Sequence, residues 1–392
     1  MSEHRIDLGM QPIRDGEMRR LDLDGNAAVL ARVDGEFYTF RAACTHYGGP
    51  LDKGVLKGHT VMCPWHHACF DIRSGSRLEP PALNDLPTYS VRMEGREVVI
   101  TIPDSSSAQP ASEAQADHRS FVIIGGGAVG NAAAEELRRT GFRGKITIVS
   151  AVPQVPVDRP NLSKDYLDGN AKPEWMPLRD AGWYSEHNIE LRLNTRVTAI
   201  DPNVYSITLE DSNTIQYDRL LLATGAVPRR LNAPGMDLDG VFTLRSMADA
   251  DAIIAAATEN SRVVIIGASF IGMEVAASLV GGRKVAATVV SPETTPFARI
   301  FGERIGQLFK HEHETQGVQF KLESEVTQIV GRNGQANGVE LASGEFLQAD
   351  FVVVGIGVSP STDFLKASGL NMDAHDSSVR VNALLQTSAP DV

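Results

Sequence analysis

Phe121-Val122-Ile123-Ile124-Gly125-Gly126-Gly127-Ala128-Val129-Gly130 decides the fold of most of this chain. Four apolar residues run into a complete G-x-G-x-x-G. The apolar run reads as a buried strand, and the glycines that follow have separate duties. Gly125 allows a tight turn, Gly127 lets a pyrophosphate approach the backbone, and Gly130 lets helix and strand pack closely. Val129, Ala133 and Leu137 then recur at i, i+4 and i+8, which predicts a helix with its free N-terminal N–H groups facing the phosphates. The motif carries weight because a strand precedes it and a helix follows it.

The design returns about 140 residues later as Val263-Val264-Ile265-Ile266-Gly267-Ala268-Ser269-Phe270-Ile271-Gly272. Ser269 replaces the middle glycine; it is small enough for a phosphate to come near, and its hydroxyl can donate. Ile271, Val275 and Leu279 form the expected core stripe of the next helix, with Phe270 and Glu274 one turn apart on an adjacent face. Strand–helix alternation from Ser120 onward predicts parallel sheets. Two dinucleotide units in one chain point to a flavoprotein that also takes a nicotinamide.

Toward the N-terminus the pattern changes. Ala27–Val33, Glu36–Phe40, Tyr89–Met93 and Val98–Ile102 alternate apolar and polar residues, and Asp24-Gly25, Asp34-Gly35 and Glu94-Gly95 supply turns. This predicts an all-β domain. Within it stand Cys44-Thr45-His46 and Cys63-Pro64-Trp65-His66. Two thiolates and two imidazoles in this order can hold a 2Fe–2S cluster with Cys44 and Cys63 on one iron and His46 and His66 on the other. Structural zinc is the competing reading, but zinc fingers pair like ligands as C-x(2–4)-C and H-x(3–5)-H, whereas each motif here holds one Cys and one His. Cys69 reads as a small buried hydrophobe and His67 as a packing residue of the loop.

The expected organisation is an all-β domain over 1–103, a flexible linker over 104–119, and two interleaved α/β (Rossmann-like) domains. The first takes 120–240, the second takes 241–358, and 359–392 returns into the first and leaves it incomplete. The linker assignment rests on the Ser/Ala/Gln/Pro-rich run Pro103–Gln115.

At 392 residues the chain is too long for one core. A net charge of −12 argues against nucleic acid as a partner. With only three cysteines, two assigned to metal, no disulfide framework can form, which fits a reducing compartment. Neither a secretory leader nor a run of about 18 apolar residues is present, so the expectation is a cytoplasmic protein without membrane contact.

The two Cys/His loops, with Tyr47-Gly48-Gly49-Pro50-Leu51 after the first and His67-Ala68-Cys69-Phe70-Asp71 after the second, resemble the Rieske ferredoxin family. Residues 120–392 resemble the FAD/NAD(P)-dependent oxidoreductases of the ferredoxin-reductase and apoptosis-inducing-factor-like branch. The matching motifs are Asp158-Arg159-Pro160-Asn161-Leu162-Ser163-Lys164, Ala223-Thr224-Gly225-Ala226-Val227-Pro228 and Gly355-Ile356-Gly357-Val358-Ser359-Pro360. Together the chain resembles the Rieske-fused apoptosis-inducing-factor-like oxidoreductases over essentially its whole length.

The resemblance implies that the first glycine turn binds FAD, with Arg159, Pro160, Thr224 and Gly225 at that site, and that the second binds NAD(P)H. It implies that Lys164 lies near the reactive edge of the flavin and pairs with Glu274, and that Phe270 shields the flavin until nicotinamide displaces it. It also implies that Thr387–Val392 leads into an A-x-G-D segment and a C-terminal interface domain, and it permits a homodimer. The usual ribose-binding acid is missing after Lys145–Val149, where Ser150 stands instead; Glu293, after Val285–Val290, can take a ribose 2′-OH and favours NADH.

No cysteine pair accompanies the flavin domain, so the expected path runs from nicotinamide through flavin to the cluster and on to a protein acceptor. Two other readings are a reductase component feeding an oxygenase through an external ferredoxin, and a non-catalytic, redox-responsive NADH-binding signalling module.

Overall fold

The computed structural model describes residues 2–9, 12–103 and 117–392. The linker expected over 104–119 lies outside the described residues as far as residue 116. The chain forms two compact units, Met1–Glu113 and Ala114–Val392.

The first unit is all-β. A six-stranded antiparallel sheet runs in the order Ser2–Asp7, Glu97–Ile102, Thr88–Glu94, Glu36–Arg41, Asn26–Val33, Met18–Leu23. Asp24-Gly25 and Asp34-Gly35 both take positive φ at each residue, the geometry that joins two-residue hairpins with the right twist. A second sheet of four short strands, Val55–Lys57, Thr60–Met62, Cys69–Asp71 and Arg77–Glu79, carries the second Cys/His loop between its middle strands. Val29, Phe40, Leu51, Val61 and Phe70 form a core that includes Cys44 and Cys63, so both thiols sit in apolar packing.

The second unit contains the same architecture twice. In the first half the strands Ile189–Arg192, Lys145–Val149, Ser120–Ile124 and Arg219–Leu222 form a parallel sheet. In the second half Val241–Phe242, Phe351–Val354, Arg262–Ile266, Ala286–Val290 and Gln319–Lys321 do the same. Each half adds a three-stranded antiparallel meander, at Val197–Gln216 and Val326–Gln348. Two short antiparallel strands, Ala226–Pro228 and Val358–Pro360, carry the chain between the halves.

The helix after the first glycine turn spans Ala128–Arg139, but its buried face is Gly130, Asn131 and Ala134. Val129, expected in the core stripe, is 64% exposed, while Ala133 and Leu137 are partly buried. Gly130 takes the position against the strand, so the burial stripe rotates by one residue. In the second helix, Phe270–Arg283, Val275 and Leu279 are fully buried and Ile271 partly so.

The halves are seamed by this second helix. Leu162, Tyr166, Leu167 and Met176 from the first half share one core with Met273, Ala276 and Leu279. Ser278 Oγ donates to the Ser163 carbonyl (2.7 Å) and Arg283 Nε to the Leu167 carbonyl (2.6 Å). A side chain at Gly282 would strike the Asp168 backbone at 2.6 Å. Among the described residues no helix is long and apolar enough to cross a membrane.

Candidate functional site

The two Cys/His loops are built alike. Cys44 N–H donates to the Gly49 carbonyl and Gly48 N–H to the Cys44 carbonyl; in the second loop Cys63 N–H donates to Ala68 and His67 N–H to Cys63. The fourth residue after each cysteine takes a positive φ: Gly48 at +78° and His67 at +62°. His67 therefore serves the turn. A side chain at Gly49 would come within 2.7 Å of Cys63 Sγ, so one loop lies directly over the other's ligand.

The ligands meet in like pairs. His46 Nδ1 and His66 Nδ1 are 3.2 Å apart. Two nitrogens about 2.1 Å from one tetrahedral metal would be separated by roughly that distance. The Cys44 and Cys63 thiols face each other, both buried, and burial pushes Cys44 up to about 12, with the Cys63 thiol adding to the rise. Among the described residues no three metal-ligating side chains converge on one point. A Cys pair and a His pair suit a cluster in which each iron takes two protein ligands. Tyr47 packs on the His46 ring at 3.9 Å, and Trp65 beside His66 is 54% exposed.

The two glycine turns have the same stitching. Gly125 N–H donates to the Val149 carbonyl and Gly267 N–H to Val290, each binding the turn to the neighbouring strand. Gly125 (φ +123°) has no room for a Cβ, which would lie 2.1 Å from the Ala223 carbonyl; at Gly267 (φ +112°) it would lie 2.4 Å from Gly355. The third glycine of each motif is equally confined: at Gly130 and Gly272 a Cβ would meet the first glycine's carbonyl at 2.0 Å. The middle position differs. Around Gly127 the nearest atoms to a Cβ are those of the Arg159 guanidinium at 3.9 Å, which leaves an open cradle. Ser269 holds the corresponding place and its hydroxyl makes no capping bond.

The cradle is positive. Arg159 Nη1 and Arg245 Nη2 approach Gly225 to 4.0 and 3.3 Å of its Cβ position. Burial, then the charge of Arg245, pulls the Arg159 guanidinium below its usual value. Arg245 Nε is buried without a hydrogen-bond partner. Beside them a cavity of about 130 Å³ is lined by Gly125, Gly126, Ser150, Arg159 and Thr224. Thr195, Arg196, Val197, Ser361 and Phe364 also line it. A diphosphate against two cations and a free helix N-terminus fits these residues. Ser150 is buried against Gly126, which has no room for a side chain. The sequence reading missed Arg245 and the Thr195–Val197 wall, because a lone arginine before a helix cap and a short loop strand carry no motif.

Arg159–Ser163 forms a 3-10 turn leading to Lys164. Glu274 Oε2 accepts from Ser163 Oγ (2.6 Å) and stands 2.9 Å from Lys164 Nζ. The Pro160 carbonyl accepts from the same lysine at 3.1 Å. Phe270 opens the second helix, 47% exposed. Glu293 follows the strand Ala286–Val290, and its Oε1 is 3.0 Å from Arg299 Nε.

Residues 119–392 match the family described as pyridine nucleotide-disulphide oxidoreductase, and residues 8–90 match the Rieske [2Fe-2S] domain. The chain belongs to the pyridine nucleotide-disulphide oxidoreductase family, in a form that carries a Rieske domain in front, of the apoptosis-inducing-factor-like and ferredoxin-reductase kind. It is 34% identical to apoptosis-inducing factor 3 of Homo sapiens over 98% of its own length and 64% of the relative's. It is 41% identical to rhodocoxin reductase of Rhodococcus erythropolis over 65% of its length and 59% of that protein's. Among solved structures, putidaredoxin reductase in its covalent complex with putidaredoxin superposes with a TM-score of 0.66 at 31% identity, covering 70% of this chain and 66% of that one. The chain thus spans under two thirds of the length of these relatives. The three cysteines at 44, 63 and 69 all lie in the first unit, so no dithiol accompanies the nucleotide-binding unit despite the family's title.

Proposed function

We propose that the chain is an NAD(P)H-dependent flavin oxidoreductase that relays electrons from reduced nicotinamide through FAD to its own Rieske cluster and on to a protein acceptor. The observation that carries this reading is the coexistence of a cationic diphosphate cradle, a second glycine turn and paired Cys/His ligands in one polypeptide. When bound, FAD exchanges electron pairs with nicotinamide and single electrons with an iron–sulfur centre, which is why the two groups belong together.

The chain's own residues do the rest. Arg159 and Arg245 would hold the FAD diphosphate at Gly127 and the helix N-terminus. Gly267, Ser269 and Gly272 would hold that of the nicotinamide. Lys164, held by Glu274, would set a positive charge near the flavin, which favours its reduced, anionic form. Cys44 and Cys63 would hold the ferric-favouring iron and His46 and His66 the reducible one.

Glu293 supports a preference for NADH. A carboxylate at the end of the second strand accepts from a 2′-OH and repels a 2′-phosphate, and Arg299 holds it in place. The named acceptors of the relatives, rhodocoxin and putidaredoxin, support a small redox protein as the final acceptor. A chain with unpaired cysteines and no membrane-length helix among its described residues suits the cytoplasm. Iron, acid-labile sulfide and flavin assayed on one purified sample test the reading: two irons, two sulfides and one flavin per chain are expected, and zinc without sulfide would refute it.

A further inference from the structure

Four phenylalanines gather beside the second glycine turn. Phe270, the first residue of its helix, meets Phe297 edge-on at 5.1 Å and Phe301 at 5.9 Å. Phe297 packs in turn on Phe309 at 4.8 Å. Phe297 is 5% exposed and takes φ +58°, a conformation that bulky side chains avoid. That backbone has a visible consequence. Phe297 N–H donates to the carbonyl of Ala268, inside the Gly267-Ala268-Ser269 turn, at 3.0 Å. Its own carbonyl accepts from Ile300 and Phe301, fixing the short helix Ala298–Phe301. One strained residue therefore ties together the nucleotide turn, the ring under Phe270 and the segment bearing Phe301. Strain of this kind persists only where the surroundings over-determine it, and it gathers at ligand sites.

We infer that Phe297 and Phe301 form a latch that holds Phe270 in a resting position, and that a nicotinamide ring must break the Phe270–Phe301 contact to take its place. The inference rests on reading the second turn as the nicotinamide dinucleotide site and Phe270 as the residue its ring displaces. Phe297 is the fixed half, buried and bonded to the turn. Phe301 is the releasable half, 45% exposed and meeting Phe270 through ring edges alone. Both are positioning residues, since they act through Phe270.

The latch distinguishes ligands by their ring. NAD+ carries a nicotinamide that must displace Phe270; ADP-ribose carries the same diphosphate and adenosine without it. Calorimetric titration of each into the full oxidised chain, wild type and Phe301→Ala, tests this. An aromatic pair's strength predicts NAD+ binding tighter by about two- to tenfold in the variant, with ADP-ribose unchanged. Phe301→Leu, which keeps apolar bulk but not the ring, should shift NAD+ in the same direction, and Phe301→Tyr should bind as wild type does. Equal shifts for both ligands, or none for either, would overturn the latch while leaving the nicotinamide site standing. Failure of the wild type to bind either ligand would overturn the site and the latch with it.

Discussion

Replacing Arg245 by Met should weaken FAD binding while leaving the FAD-free chain as stable as before, or more so. The two arginine tips flank Gly225 at 4.0 and 3.3 Å from one point, so they are no more than about 7 Å apart. Like charges at about 7 Å repel by about 2 kcal/mol at an effective dielectric of about 20, and by less where water reaches them. The depressed Arg159 guanidinium registers burial first and then that repulsion, and Arg245 Nε is buried without a hydrogen-bond partner. Met keeps apolar bulk and removes the charge. The backbone N–H of Arg245, which donates to Asp249, is untouched. Without FAD the substitution therefore relieves repulsion. With FAD it deletes a charge-assisted hydrogen bond worth about 1.5–3 kcal/mol, or roughly ten- to hundredfold in Kd. Thermal melting of the flavin-free protein and fluorescence titration with FAD separate the two effects. A lowered Tm with an unchanged FAD Kd would refute the argument, because it would make Arg245 a packing residue and not part of an anion site.

Further outcomes follow from the same geometry. Gly130→Ala and Gly272→Ala each drive a methyl to 2.0 Å from a backbone carbonyl; each should destabilise the second unit by about 1–3 kcal/mol, read in denaturant melts. Glu274→Gln should change stability by no more than about 1 kcal/mol, since Lys164 is 47% exposed, yet slow flavin reduction by NADH about tenfold or more in stopped flow. Equal loss of stability and rate would point to a structural role. Glu293→Gln removes the negative charge and loosens Arg299, so the ratio of kcat/KM for NADPH over NADH should rise by about tenfold; an unchanged ratio would move the specificity elsewhere.

Much of this was readable before any coordinates. Strand-glycine-helix runs at 121–130 and 263–272 impose the turn because Gly125 and Gly267 have carbonyls where a Cβ would stand. The Asp-Gly pairs at 24–25 and 34–35 marked two hairpins for the same local reason. What escaped was non-local. The placement of Arg245 beside Arg159 depends on the first half's loop meeting the segment just before the helix Met247–Ala256, about 86 residues on in sequence. Val129 was misplaced because periodicity sets a spacing, not a phase, and the phase here is fixed by Gly130 against the strand. The left-handed Phe297 was invisible too, since nothing in an aromatic residue's identity signals a positive φ.

The central claim is that one polypeptide passes electrons from nicotinamide to a pair of irons. Mixing the reconstituted chain with NADH under anaerobic conditions, and freezing samples for electron paramagnetic resonance as the visible spectrum is followed, tests it most directly. The account predicts flavin bleaching followed by the signal of a reduced Rieske centre, abolished when His66 is replaced by Ala. Flavin that bleaches while an intact cluster stays oxidised, with every added redox protein still reduced at full rate, would contradict it.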